Sequence, residues 1–232
     1  PYGGFDGWDI HRESRTNTDE YTKQSGKAIL GVSVGNFQNL AISDEVDGIT
    51  SDYYAYLKGI LTFDNPEDVA IDLMATAGID AVNNSDLIEA TIEMIENDRC
   101  DAFYIFNMLD YNSAGDPLSV DNMVDLISDL YDTPYAASYV HWGLYNDTEN
   151  NTRVYLPPTA EVVRILAKTD RLNAPWYAGA GITRAKTVFT NLRAKLRESQ
   201  RDVLYEGRLN PLIADSGSYY IFGNRTMLDN DT

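Results

Sequence analysis

The stretch "DAFYIFNML", residues 101–109, is aromatic or aliphatic at nearly every position after its first. A short apolar run with polar residues on either side reads as a strand buried on both faces, the pattern of a parallel sheet's interior. Its flanks set the fold class. Upstream, "NNSDLIEATIEMIENDR" (83–99) places Ile88, Ile92 and Ile95 on one helical face, with N-cap candidates at Asn83 to Ser85. Downstream, "SVDNMVDLISDLY" (119–131) repeats the helical period through Val120, Met123, Val124, Ile127 and Leu130, with Ser119 as cap. "YAASYVHWGLY" (135–145) reads as one further strand, and "VAIDLM" (69–74), behind a proline, as an earlier one. This alternation predicts an α/β fold with a mixed, largely parallel sheet flanked by helices.

Further out the elements become shorter. "SDYYAYLKGILTF" (51–63) has Tyr53, Tyr56, Leu57 and Ile60 at helical spacing, with Ser51 or Asp52 as cap. "YNDTENNTRVYLPP" (145–158) is a turn-rich excursion with a short strand. "TAEVVRILAKTD" (159–170) predicts a helix capped by Thr159. "SQRDVLYEG" (199–207) predicts another, with Ser199 and Asp202 as an acidic capping-box variant and Gly207 as its stop. "SYYIF", "GN" and "RTML" (218–228) read as a C-terminal β-hairpin around Gly223-Asn224. Residues 1–27 carry no sustained period and 28–34 could form a strand. The expected division is therefore 1–50, an irregular or strand-containing segment linking to a missing N-terminal region, and 51–232, an α/β body. The chain starts at Pro1 and stops at "LDNDT" without a closing element, as part of something longer would.

The formal net charge of −18 is unevenly placed. Residues 1–150 carry 28 acids and 6 Lys/Arg, residues 151–232 carry 8 and 12. Such a field repels nucleic acid and anionic membranes unless a local basic patch overrides it. It suits an acidic solvated surface with a basic helix, or head-to-tail self-association of unlike faces. One cysteine, Cys100, excludes an internal disulfide framework, fits a reducing compartment and is expected as a buried structural thiol. No apolar run is long enough to cross a bilayer, so no membrane insertion is expected.

Motifs for chemistry fail on spacing. "NAPWYAGAGITRAKTV" (173–188) has Gly179 and Gly181 one residue apart with Arg184 and Lys186 behind them, like a phosphate loop. A dinucleotide fingerprint needs a third glycine where Arg184 stands, and a Walker loop needs Gly-Lys-Ser/Thr at its end. No cofactor is implied. "DYNSAGD" (110–116) offers Asp110, Asn112, Ser113 and Asp116 as hard oxygen ligands for a divalent cation, which would make a metal-dependent enzyme or binding domain. A capped turn accounts for the same residues. His11 and His141 lie in no metal or triad spacing, and no nucleophile elbow occurs. The chain is expected not to be an enzyme. The basic stretch from Arg184 to Arg201 lacks the interleaved aromatics of a single-strand binding groove, so direct nucleic-acid binding is not expected. A basic rim of Arg184, Lys186, Arg193, Lys195 and Arg197 meeting a neighbour's acids fits better.

Several consecutive pieces resemble the contractile tail sheath proteins of myovirus bacteriophages. "LPPTAEVVRILAKTD" is similar to a proline-led helix ending in an Ala-Arg/Lys-Thr-Asp signature, here Ala167 to Asp170. "NAPWYAGAGITRAKTV" resembles a Trp-x-x-Pro/Ala-Ala-Gly-x-x-Arg-Gly turn, with Ala178-Gly179 and Ala185 departing from the usual residues. "SQRDVLYEGRLNPLIADSGSYYIFGNRTM" and, upstream, "YGGFDGWD" resemble further family segments. The likeness is specific from Thr159 to Met227 and rests on element order before Asn150. It implies a virion structural subunit, made in the bacterial cytoplasm, that polymerises helically around a tail tube and contracts to deliver the genome. Implied partners are other sheath subunits, the tube protein, and baseplate and tail-terminator proteins. A related secretion apparatus or bacteriocin sheath stays open. A C-terminal domain that holds the tube and exchanges strands is expected to follow the hairpin. In this reading the 173–188 loop is architectural: Gly179 and Gly181 turn the chain after Trp176, a packing anchor.

Overall fold

The computed structural model describes residues 51–76, 79–112, 116–127, 130–174 and 176–229. The expected strand at 28–34 and the irregular run before it lie outside them. The central strand is β2 (Phe103–Asn107). It pairs in parallel with β1 (Leu73–Ala75) and with β3 (Ala136–Val140). β3 then pairs in parallel with β7 (Leu209–Asp215), and β8 (Ser218–Ile221) closes the far side antiparallel to β7. A second, antiparallel sheet has the order β5 (Thr152–Leu156), β4 (Gly143–Asp147), β6 (Asn191–Leu192).

The twofold alternation of β2 assigns its side chains to two cores. Tyr104 and Phe106 face a layer built from α1 (Ser51–Ile60), α2 (Ser85–Glu93), α3 (Val120–Asp125) and α5 (Glu198–Glu206), through Ile60, Ile88, Met123 and Leu204. Ile105, with Ala137 and Tyr139 of β3, faces α4 (Thr159–Leu172) through Val162 and Ile165, together with Ala185, Phe189 and Leu192. The sheet is thus covered on both faces, as its continuous apolar strands require. Ile88, Ile92 and Ile95 are all buried, and α2 continues through a wide π-type turn over Met94–Arg99.

Several local expectations shift. The strand expected over 135–145 is two strands in two sheets, because the chain leaves the main sheet at His141 and Trp142 and re-enters pairing at Gly143. The early strand sits at the end of its apolar run, since only Leu73–Ala75 reaches β2. α3 stops at Asp125, leaving Leu130 exposed, but Ser119 does cap it: the Asn122 backbone N–H donates to Ser119 Oγ at 3.2 Å. Thr159 is not a cap but the first helical residue, and its hydroxyl donates to the Asn107 side-chain oxygen across the core. Helix α5 starts at Glu198, so Ser199 lies within it; Gln200 Oε1 accepts from the Arg197 N–H at 3.0 Å instead. The C-terminal hairpin turns at Ser216-Gly217, both at positive φ, one strand earlier than Gly223-Asn224. Past β8 the chain runs back over the sheet and buries Met227, whose N–H donates to Ala136 O at 2.9 Å. Cys100 is exposed rather than buried, because it ends the π-type turn in a left-handed conformation.

Candidate functional site

The carboxyl ends of the parallel strands, where α/β folds commonly hold ligands, are filled by a joint between the two sheets. Asp110 follows β2 and Arg193 follows β6. Arg193 Nη1 donates to Asp110 Oδ1 at 2.9 Å, with the carboxylate buried. The guanidinium also stacks over Tyr111, Trp142 and Tyr155, at 4.1, 5.1 and 4.4 Å from their centroids. The other Asp110 oxygen accepts from the Trp142 N–H at 3.2 Å, and Trp142 Nε1 donates to Met108 O at 3.2 Å. Burial outweighs the neighbouring guanidinium and holds the Asp110 carboxyl above the usual carboxylate range.

This geometry corrects the metal reading of 110–116. Asp110 is turned into the joint, and Asn112 and Asp116 close a turn on each other: the Asp116 N–H donates to Asn112 Oδ1 at 2.8 Å. Ser113 lies outside the described residues. Among the described residues no group of three or more His, Cys, Asp or Glu side chains could hold a metal ion. No helix among them is long and apolar enough to cross a membrane.

The five cations singled out from sequence do not form one rim. Arg193 is engaged in the joint. Arg184 and Lys186 are exposed on the α4 side of the sheet, where Arg184 lies 4.5 Å over the Tyr177 ring. Lys195 and Arg197 are exposed at the start of α5, which packs on the opposite layer. The segment from 184 to 197 crosses from one layer to the other, so contiguity in sequence does not become contiguity on the surface.

In the 173–188 loop, Gly181 has φ +92°, a conformation that favours glycine, and its N–H donates to Ile221 O at 2.8 Å. A Cβ on Gly179 would meet Leu166 Cδ2 at 2.5 Å, so glycine lets the loop lie close on α4. Residues 185–189 then alternate buried and exposed beside β8, with the Thr187 N–H donating to Tyr219 O at 2.8 Å. Trp176 is not the expected packing anchor. It is 83% exposed, and the neighbouring Leu172, Tyr177, Ile182 and Val188 are exposed as well.

Sequence reasoning missed the remainder of this face. Arg164, Lys168 and Arg171 recur at i, i+4 and i+7 on α4 and are all exposed, opposite the buried Val162 and Ile165. Arg164 pairs with Glu161 at 2.8 Å and also donates to Lys186 O at 3.1 Å, which ties the helix stripe to the loop cations. The spacing was readable within "EVVRILAKTDRL" but was overshadowed by the denser basic run downstream. The result is a cationic and aromatic face on a strongly acidic chain.

Comparison with known proteins follows the fold. No family model matches the chain. The tail sheath protein of Vibrio phage KVP40 is 26% identical over 124 residues, covering 53% of this chain and 18% of that protein. The tail sheath protein of Enterobacteria phage T4 is 29% identical over 82 residues, covering 34% and 12%. The chain therefore spans less than a fifth of either relative. Among solved structures, the contracted helical sheath of the anti-feeding prophage superposes with a TM-score of 0.53 at 18% identity, over 78% of this chain and 45% of that one. A chain of the prophage's baseplate gives 0.53 at 16%, over 78% and 44%, and these two likenesses speak to the fold. Both sequence matches are thus to phage tail sheath proteins, and the described residues share the fold of a contractile sheath subunit.

Proposed function

We propose that this chain is part of a structural subunit that polymerises helically around a tail tube and contracts to drive the tube through the host envelope during genome delivery. The observation that carries the reading is the sequence match to two phage tail sheath proteins. Residues 51–232 form its body, and 1–50 link to a further region. Its partners are other sheath subunits, the tube, the baseplate and a tail terminator, within a virion assembled in the bacterial cytoplasm. It needs no catalysis, because the work is stored in the assembly. Two metastable packings of rigid subunits suffice for such a machine. The exposed Arg184, Lys186, Lys195 and Arg197 meet acids of neighbouring subunits, where charged rims re-pair after sliding more readily than dry apolar ones. Arg193 contributes by holding the body together.

The test is negative-stain electron microscopy of the full-length gene product. Regular striated tubes support the reading. A compact monomer or small oligomer across salt and concentration removes it. A second reading is the sheath of a related contractile injection system, a secretion apparatus or bacteriocin, and the fold shared with the anti-feeding prophage sheath is compatible with it. Antibody labelling of particles from the producing cells separates the two, since only a phage tail is joined to a DNA-filled head.

A further inference from the structure

The two layers carry helix faces of opposite charge, although the start of α5, in the same layer as α2, also exposes Lys195 and Arg197. On one side, the outward face of α2 presents Asp86, Glu89 and Glu93, all exposed, and Glu96 continues the row. Among the described residues none of these four is in an ion pair. The nearest cation in sequence, Arg99, is buried, held by Asp101 at 2.9 Å and by Phe63 O at 2.6 Å. Between residues 51 and 150 the chain has 20 acids and only Lys58 and Arg99 as Lys/Arg. On the other side lies the cationic face of α4 and its loop. Between residues 159 and 188 five Lys/Arg stand against two acids, one of which, Glu161, is buried and neutralised by Arg164.

These faces cannot meet within one molecule. The apolar side of α2 is buried against the Tyr104 and Phe106 side of β2, and that of α4 against the Ile105 side. A four-stranded parallel core lies between them. The two charged faces therefore belong to opposite layers of the molecule.

We propose that the cationic and aromatic face, with Lys168 and Arg171 on α4 and Trp176 and Lys186 in the loop that follows it, docks the acidic α2 face of a second copy of this chain. Charge complementarity selects the occupant. The chain's remaining surface is strongly acidic, which disfavours other polyanions, and the same chain supplies an unneutralised acidic helix. Because the two surfaces differ and lie on opposite sides, the contact is heterologous. It leaves a free face of each kind at the ends and so propagates into a ring or an open helix instead of closing as a dimer. Trp176, Tyr177 and Ile182 supply the apolar anchor that charge alone lacks. This proposal deepens the sheath reading by naming the surfaces that meet.

The test uses neutral variants of this chain in sedimentation velocity at low salt, over tens to hundreds of micromolar. One variant is Lys168→Gln/Arg171→Gln/Lys186→Gln, the other Asp86→Asn/Glu89→Gln/Glu93→Gln. All positions are exposed, and circular dichroism checks that both variants fold. The wild-type chain is expected to grow with concentration, and about tenfold more weakly at several hundred millimolar salt. Each variant alone stays monomeric. Their mixture forms a 1:1 heterodimer and nothing larger, since each partner retains one competent face. Association that survives either neutralisation, a mixture that stays monomeric, or a wild-type monomer at every concentration overturns the contact. So does tight binding of a labelled single-stranded oligonucleotide to the cationic face without self-association. Tubes from the full-length product in electron microscopy would leave the sheath reading standing in each of those cases, and their absence would remove it independently.

Discussion

Arg193 and Asp110, 83 residues apart in sequence, form a 2.9 Å ion pair that joins the small antiparallel sheet to the main one. The pair is asymmetric. Asp110 is buried and its charge already disfavoured, whereas Arg193 rests on three aromatic rings and keeps some exposure. Removing the cation strands a buried carboxylate, while neutralising the carboxylate leaves a stacked cation near solvent. Arg193→Ala is therefore expected to cost about 2–4 kcal/mol, and Asp110→Asn about 1 kcal/mol. Arg193→Lys should recover only part of the loss, because an ammonium keeps the charge but not the planar stacking. Urea unfolding midpoints of the three variants check the order.

His141 gives the fold a pH dependence of defined sign. It is buried, Nε2 has no partner, and desolvation lowers its pKa to about 4. The unfolded imidazole titrates near 6.5. Above that value both states are neutral and the contribution is fully present. As pH falls from about 6.5 to 4, the unfolded chain takes up a proton that the folded one refuses. The expected loss approaches roughly 3 kcal/mol. In His141→Phe the acid-side slope should flatten, and the wild-type minus variant difference removes the opposing contribution of Asp110. Chemical denaturation at pH 7.5, 6 and 4.5 reads it.

Gly207 is required by a neighbour, not by its own backbone, whose φ of −76° suits any residue. A Cβ there would lie 2.4 Å from Val124 Cγ2, where α5 presses on α3. Gly207→Ala should destabilise by about 1–3 kcal/mol. Adding Val124→Ala should recover part of it, and a double-mutant cycle measures the coupling.

Asn210 fastens the C-terminal return. Its amide donates to Ser138 O at 3.1 Å and to Arg225 O at 2.7 Å, and its oxygen accepts from the Arg225 N–H at 2.7 Å. Asn210→Ala leaves these groups unpaired and is expected to cost about 2–3 kcal/mol. Limited proteolysis should then cut after Phe222 sooner than in wild type.

Trp176→Ala separates surface from core. At 83% exposure the side chain contributes little to the fold, so the melting temperature should stay within about 1–2 °C of wild type. Self-association at low salt should weaken severalfold. A fall in melting temperature comparable to that of Arg193→Ala would instead assign Trp176 a packing role.

The sheet was legible because its determinants are local. β2 declares itself by continuous burial, and α2 and α4 by period, so class and helix order follow from short windows. What escaped depended on distant partners. The break of 135–145 into two strands is set by Asp110 and Met108, which hold Trp142 from another part of the chain. The turn at Ser216-Gly217 competed with a more familiar Gly-Asn pair, and tertiary use of Asn210 by Arg225 reserved the latter segment for the return path. The basic run 184–197 looked continuous because sequence does not say that the chain passes from one layer to the other. Trp176 was mistaken for an anchor because large aromatics are usually buried, and its exposure only becomes visible once Gly181 and Ala185 are seen to seat the loop without it.

The ring of aromatics around Arg193 has a mechanical consequence. A load applied to β5 would reach β2 through Tyr155, the Arg193 guanidinium that rests on three aromatic rings, and the buried Asp110 carboxylate. A body joined in this way is expected to behave as a lever with a stiff elbow. It passes displacement on to whatever touches its outer faces and does not dissipate it by bending.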